Sequence, residues 1–154
     1  MEIHELLSPD GVVANLKANS KKQALQELAS RAARLTGLHE RQIFETLLER
    51  ERLGTTGVGN GIAIPHGRIA GLPKLYGLFA RVERPIDFDS IDEMPVDLVF
   101  LLLAPESAGA DHLKALARVS RLLRDKGICE KLRGADSADA IYALLTDTPA
   151  SHAA

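Results

Sequence analysis

The chain opens with one strand-like pattern followed by two helix-like patterns. A short β-branched stretch, GVVANLK at 11–17, predicts the first strand. Apolar positions at helical spacing then run from Ser20 to Gly37, where Ser20 and Gln23 form a capping-box pair and Gly37 is a natural stop. A second apolar stripe predicts a helix over roughly 40–53. The first third of the chain is therefore predicted as β-α-α.

Strands come next along the chain, and helices follow them. The stretch VDLVFLLL is almost continuously apolar, which is typical of a strand buried on both faces. The order β-α-α-β-β-β-α-α-α, with helices before and after the strands, predicts an α/β fold whose sheet is covered on both faces. The predicted strands are 62–64, 75–82 and 96–103, and the predicted helices are 111–127, 128–133 and 137–145.

Two details of this second half matter for the candidate chemistry. The helix at 111–127 is predicted to start from Asp111 as its N-cap and to turn its leucines inward, Leu113 among them. The acidic segment 83–97 lacks the glycine and glutamate spacing of a calcium loop. It is predicted to be a solvated loop attached to the core by apolar side chains that include Ile91.

Composition places the chain among ordinary globular proteins. It has 154 residues, 45% hydrophobic and 26% charged, and a net charge of −2. No basic excess points to nucleic acid, no apolar run is long enough for a bilayer, and one cysteine cannot form an internal disulfide. The pattern predicts a cytoplasmic protein with a single domain over 1–146 and a flexible tail at 147–154.

The most unusual stretch is GTTGVGNGIAIPHGR at 54–68, which holds five of the twelve glycines. It lacks the lysine and the following helix of a Walker loop. It also fails the dinucleotide fingerprint, because Ile62 stands where the third glycine is needed and the stretch opens a strand. A plain tight connection stays open as one interpretation.

His66 changes that balance because it stands between Pro65 and Gly67, where a short strand ends. Proline stops ladder hydrogen bonding and glycine removes bulk, so the imidazole is expected to have one open side. The five histidines show no local metal-binding spacing, so no metal site is predicted, and no GxSxG elbow is present. His66 is left as a general base or as a nucleophile.

A nucleophilic histidine that takes up a phosphoryl group needs cations or N–H donors nearby. Arg50, just before the glycine-rich stretch, is a candidate cation, but it also suits the negative end of a helix dipole. His112 is expected in the first turn of its helix, where N–H groups attract anions. It fits equally an ordinary surface histidine.

The stretch ERERLGTTGVGNGIAIPHGR resembles the phosphoacceptor signature of the type-2 enzyme IIA proteins of the bacterial phosphotransferase system. The residues GVGNGIAIPHGR within it are most similar to the nitrogen-related branch of that family. The segments at 84–105 and 111–145 also resemble that family, so the likeness covers roughly residues 5–146.

The resemblance implies a three-layer α/β/α sandwich with a mixed sheet. It implies that His66 carries the phosphoryl group on Nε2 and that Arg50 and His112 support it. No cofactor is implied, because the phosphoryl group comes from phosphoenolpyruvate through enzyme I and an HPr-like phosphocarrier. A loop kept low around His66 would let the donor approach; its residues are Thr56, Gly57, Gly59, Asn60, Gly61, Pro65 and Gly67.

Three hypotheses follow from the sequence. The first is a phosphorelay protein whose phosphorylation state regulates target proteins, such as kinases or transporters, in nitrogen, potassium or carbon metabolism. The second is a sugar-specific enzyme IIA that passes the phosphoryl group to the IIB component of a membrane permease. The third is a binding module that keeps the fold and needs no phosphorylation. No nucleic-acid partner is expected, and the oligomeric state is left open.

Overall fold

The computed structural model describes residues 1–147, and in it helices flank a six-stranded mixed sheet. The helices are α1 (Ile3–Leu6), α2 (Lys21–Thr36), α3 (Glu40–Arg52), α4 (Gly109–Leu123), α5 (Lys126–Gly134) and α6 (Ala138–Thr146), with a 3-10 turn at Pro9–Gly11. The strands are β1 (Val12–Leu16), β2 (Gly57–Gly59), β3 (Ile62–Ala63), β4 (His66–Ile69), β5 (Tyr76–Ile86) and β6 (Val96–Pro105).

The α/β class and the order of the longer elements are confirmed. The structure adds α1, the 3-10 turn, β2 and β4. The two added strands are three and four residues long and rich in glycine, so no run of alternating apolar residues marks them. Of the tail predicted at 147–154, residues 148–154 lie outside the described residues.

The capping box at the start of α2 is present with one shift. Ser20 Oγ accepts a hydrogen bond from Gln23 N at 3.1 Å, as the pattern predicts. The Gln23 side chain accepts instead from the backbone N–H of Asn19, at 2.7 Å. Gly37 closes the helix with a φ of 76°, a left-handed conformation that favours glycine.

Strand β6 is the centre of the sheet. It pairs antiparallel with β5 along one edge, and along the other it pairs parallel first with β3 and then with β4. Strands β3 and β4 are thus two pieces of one edge, separated by Ile64 and Pro65. The Pro65 carbonyl still accepts a hydrogen bond from Leu102 N at 2.9 Å, so the break does not detach the chain from β6.

Alternate side chains of β6 enter two separate cores. Val99, Leu101 and Leu103 face helices α2 and α3. Leu98 and Phe100 face α1 and α4–α6, together with Leu102. Both faces of the strand are therefore buried, as its unbroken apolar pattern predicts, and the three-layer arrangement follows.

The β2–β3 hairpin packs on the acidic segment that precedes β6. Gly61 has a φ of 81°, and a Cβ there would lie 2.7 Å from Arg133 Nη2 and 2.9 Å from Asp97 Oδ1. Arg133 donates to both Asp97 oxygens and to the Asn60 carbonyl, which ties α5 to the hairpin. The prediction for Ile91 is wrong, since its side chain is exposed.

Replacing Gly61 with alanine is expected to lower the free energy of unfolding by about 1–3 kcal/mol, from left-handed backbone strain and displacement of the Arg133 guanidinium. Urea denaturation at equilibrium measures the change. The matched control is Gly134→Ala at the end of α5, where a Cβ meets open space and φ is not left-handed. Equal stability of the two variants would contradict this account of the hairpin.

Candidate functional site

His66 is the first residue of β4, opposite Leu102 of β6. Its Nδ1 lies 2.9 Å from the Ile64 carbonyl oxygen. A carbonyl can only accept, so Nδ1 carries the proton and Nε2 keeps its lone pair. His66 is half-buried. The carbonyl that orients its ring belongs to Ile64, on the other side of the break at Pro65. The imidazole is therefore held in one tautomer with Nε2 as the reactive nitrogen.

His112 reaches the same place from α4. The helix begins at Gly109 after an Ala108 N-cap, so the prediction of Asp111 as N-cap is wrong, and Asp111 lies inside the first turn. The rings of His66 and His112 meet edge to face with centroids 5.6 Å apart. The His112 ring is buried.

Arg68 lies two residues beyond His66 on β4, and its Nε lies 3.4 Å from His112 Nδ1, to which it donates. This contact assigns the proton of neutral His112 to Nε2, which is buried and has no hydrogen-bond partner within residues 1–147. Arg68 is not among the site residues predicted from the sequence. Strand alternation could have found it, since residues i and i+2 of a strand share a face.

Arg50 approaches from the last turn of α3. Its Nη1 donates to the Gly54 carbonyl at 2.9 Å, and its charge acts on His66. Helix α3 can lie close to β4 because Gly67 has no side chain: a Cβ there would be 2.7 Å from Thr46 Cγ2. Among the predicted loop residues, Gly67 thus serves the close packing of α3 on the strand that carries His66.

Glu51, next to Arg50, is a buried carboxylate with partners on both oxygens. Oε1 accepts from Thr56 N at 3.0 Å and pairs with Lys21 Nζ at 2.8 Å. Oε2 accepts from the Thr56 hydroxyl. Burial of a carboxylate is costly unless it is paired, so this network fixes the chain between α3 and the hairpin. The predicted loop residue Thr56 acts here, beneath the site.

The two imidazoles share an environment that disfavours protonation. Burial, followed by the positive charge of Arg50, lowers the pKa of His66, while the hydrogen bond to Ile64 and the charge of Glu51 oppose this shift. Burial also lowers the pKa of His112, and His66 and Arg68 add to that effect. Both shifts favour the neutral form of the rings, which is the form that a nucleophile needs.

A cleft of about 930 Å³ opens over these groups. Its lining includes Arg50, His66, Gly67, Arg68 and His112. Two exposed leucines stand on its rim, Leu53 and Leu113. The prediction that Leu113 faces inward is wrong, since 67% of it is exposed. The site is a cationic, imidazole-bearing depression with an apolar border, a form that suits contact with another macromolecule.

Gly57, Gly59 and Asn60, three further predicted loop residues, do not line this cleft. A Cβ on Gly57 would overlap Ser90 Oγ, and one on Gly59 would lie 3.1 Å from Asp92 Oδ2. Asn60 N donates to the same Asp92 oxygen at 2.8 Å. Close packing of the hairpin against the acidic segment accounts for these glycines. That they also leave the approach to His66 clear for a donor stays a prediction.

No group of three or more His, Cys, Asp or Glu side chains comes together as a metal-binding set within residues 1–147. No helix among these residues combines the length and the apolar character that crossing a membrane requires.

A histidine with its proton on Nδ1, a second imidazole and two arginines thus lie together at the start of β4 in a mixed sheet. The family model for "Phosphoenolpyruvate-dependent sugar phosphotransferase system, EIIA 2" matches residues 5–148, and the chain belongs to this family. The chain is 63% identical over 153 residues to a nitrogen regulatory protein of Bradyrhizobium diazoefficiens, covering 99% of this chain and 100% of that protein.

Solved structures agree with this assignment. The crystal structure of nitrogen regulatory protein IIA-Ntr from Neisseria meningitidis superposes with a TM-score of 0.89 at 40% identity, covering 94% of this chain and 99% of that one. IIA mannitol from Escherichia coli gives a TM-score of 0.77 at 21% identity, with coverages of 90% and 97%, which shows the shared fold. The resemblance to the nitrogen-related branch is confirmed.

The charges around His66 predict opposite pKa changes in two variants. Arg50→Gln removes a positive charge that disfavours the imidazolium, so the pKa of His66 is expected to rise. Glu51→Gln removes a negative charge that favours it, so the pKa is expected to fall further. A titration of the His66 ring protons by NMR measures both. Shifts of the same sign in the two variants would contradict this electrostatic account.

Proposed function

We propose that the protein is a phosphorelay component in which His66 Nε2 accepts a phosphoryl group from an HPr-like phosphocarrier. The observation that carries the proposal is the Nδ1 contact with Ile64, because it leaves Nε2 unprotonated beside an arginine and a buried imidazole N–H. Membership in the phosphoenolpyruvate-dependent family supplies the reaction class.

In the transfer step, the P–N bond on the donor's histidine breaks and a P–N bond to His66 Nε2 forms. The donor imidazole leaves with the electron pair of the broken bond, and His66 keeps its proton on Nδ1. Phosphoryl transfer needs in-line positioning and charge stabilisation more than covalent help from the protein. Since His66 arrives neutral, no proton has to leave Nε2 before attack.

The surrounding groups would stabilise the three phosphoryl oxygens, which carry charge throughout the transfer. The buried Nε2–H of His112 has no acceptor within the described chain, and a phosphoryl oxygen would provide one. The guanidinium groups of Arg50 and Arg68 would add positive charge at the same cleft. We assign His112 and the two arginines this role.

Phosphorylation would then act as a regulatory signal in the cytoplasm. A phosphoryl group on His66 adds about −1.5 to −2 charges at neutral pH by analogy with other phosphorylated side chains. That charge would stand between the exposed leucines Leu53 and Leu113 and reverse the sign of the cleft. We propose that target proteins in nitrogen, potassium or carbon metabolism distinguish the two states by this change.

The test is intact-mass spectrometry after incubation with phosphoenolpyruvate, enzyme I and the HPr-like carrier. One acid-labile phosphoryl group is expected on the wild type and none on His66→Ala. Absence of a mass shift with any cognate carrier would refute the relay and leave the binding-module hypothesis. A His66→Ala chain that still carries the group would refute the assignment of the acceptor.

His112 gives a finer prediction. His112→Ala is expected to slow phosphorylation of His66 by about 10²-fold, the usual effect of losing one stabilising donor. His112→Gln offers an amide N–H near the position of Nε2–H and is expected to recover part of the rate. Rapid-quench sampling followed by mass spectrometry measures the rates. Equal rates in all three proteins would remove His112 from the mechanism.

The sugar-specific alternative is tested with the same phosphorylated protein, because the family is that of a sugar phosphotransferase system. Transfer onward to the IIB component of a sugar permease, followed as loss of the phosphoryl mass from this chain, would favour that role. Retention of the phosphoryl group on this chain in the presence of IIB components would favour the regulatory role.

A further inference from the structure

A second pocket, of about 560 Å³, lies between the β2–β3 hairpin and the ends of helices α4 and α5. It shares no lining residue with the His66 cleft, although α4 contributes to both. Ile62, Ile64 and Leu123 form an apolar, buried floor. The volume falls within the range that small-molecule sites occupy in proteins.

The charged groups of this pocket do not balance. Arg124, Lys126 and Glu130 are exposed and make no ion pair within residues 1–147, whereas Arg133 is neutralised by Asp97 at 2.8 Å. Two unpaired cations and one unpaired carboxylate leave a surplus of one positive charge. A single negative charge on a ligand would complement this set.

Polar and apolar features of the rim narrow the class of ligand. The Ser120 hydroxyl lines the pocket and makes no hydrogen bond within the described part of the chain. On the opposite side, Val58 and Met94 line the pocket, although 60% of Val58 and 49% of Met94 is exposed to solvent. A hydroxyl and cations on one side with uncovered apolar side chains on the other suit a molecule with an anionic head and an apolar body.

We propose that this pocket binds a small amphipathic monoanion, a carboxylate with an apolar chain of several carbons. The carboxylate would be held by Arg124, Lys126 and Ser120. The apolar chain would lie on the floor and be covered by Val58 and Met94.

One residue, Ile64, contacts both this pocket and His66. The Ile64 side chain is part of the pocket floor, and its carbonyl oxygen holds His66 Nδ1 at 2.9 Å. This hydrogen bond is already made in the structure, so a ligand packed on Ile64 is expected to preserve it and the tautomer that leaves Nε2 free. Binding itself does not rest on the proposed function.

The first experiment titrates sodium octanoate into the isotopically labelled full-length protein and follows backbone amides by NMR. Saturable shifts at Ile62, Ile64, Leu123 and Cys129 are expected. The double variant Arg124→Gln, Lys126→Gln is expected to bind at least about tenfold more weakly, close to the loss of one charge-assisted contact. The NMR spectrum of each variant shows whether it is folded.

Two matched controls make this experiment decisive. Lys114→Gln, Arg121→Gln removes the same charge from α4 at positions that do not line the pocket, and it is expected to bind octanoate like the wild type. Octylammonium has the same chain with the opposite charge and is expected not to bind. No saturable shifts, equal binding of octylammonium, or equal weakening in the control variant would each overturn the site.

The second experiment repeats the phosphorylation assay with and without octanoate. An equal initial rate of His66 phosphorylation with and without octanoate is expected, because the Ile64–His66 hydrogen bond is present in both cases. A loss of phosphorylation caused by octanoate would overturn the placement of the apolar chain on Ile64. Failure of phosphorylation without octanoate as well as with it would instead refute the proposed relay.

Discussion

The ladder between β6 and the broken edge formed by β3 and β4 is the interaction on which the rest of the structure depends. Because β6 is buried on both faces, it cannot shift in register without moving two cores at once. Parallel pairing with Leu102 fixes where His66 begins β4. The interruption at Pro65 then allows the Ile64 carbonyl to turn toward the imidazole while the edge stays attached to β6.

Packing on this edge brings the charged groups to the imidazole. Gly67 lets α3 lie against β4, and the buried carboxylate of Glu51 secures the chain where α3 ends. On the opposite face, α4 carries His112 to within ring contact of His66. The site is thus assembled from both layers of helices, and its hydrogen-bond donors already hold their positions, which is the arrangement that electrostatic stabilisation in the proposed phosphoryl transfer requires.

The same geometry keeps histidines neutral in a cationic surrounding. Burial and nearby arginines lower the pKa of both rings, so Nε2 of His66 is available to attack while positive charge still surrounds it. If the histidine were exposed, water and salt would screen the effect of the arginine charges on its ring. Half-burial therefore strengthens the effect of the Arg50 charge on His66, which would serve the proposed phosphoryl transfer.

Local pattern by itself determined the long elements, the capping of α2, the buried character of β6 and the candidacy of His66, because these depend on periodicity and on residue types that are neighbours in the chain. The sequence also offered Arg50 and His112 as candidates with alternatives open, and the family resemblance implied their supporting role. Tertiary structure alone decided that Arg68 joins them, that Leu113 is exposed, and that Gly57, Gly59 and Gly61 pack against the acidic segment. These are contacts between residues about 30 or more positions apart, or exposures set by such contacts, and no local periodicity encodes which distant side chain fills the space that a glycine leaves.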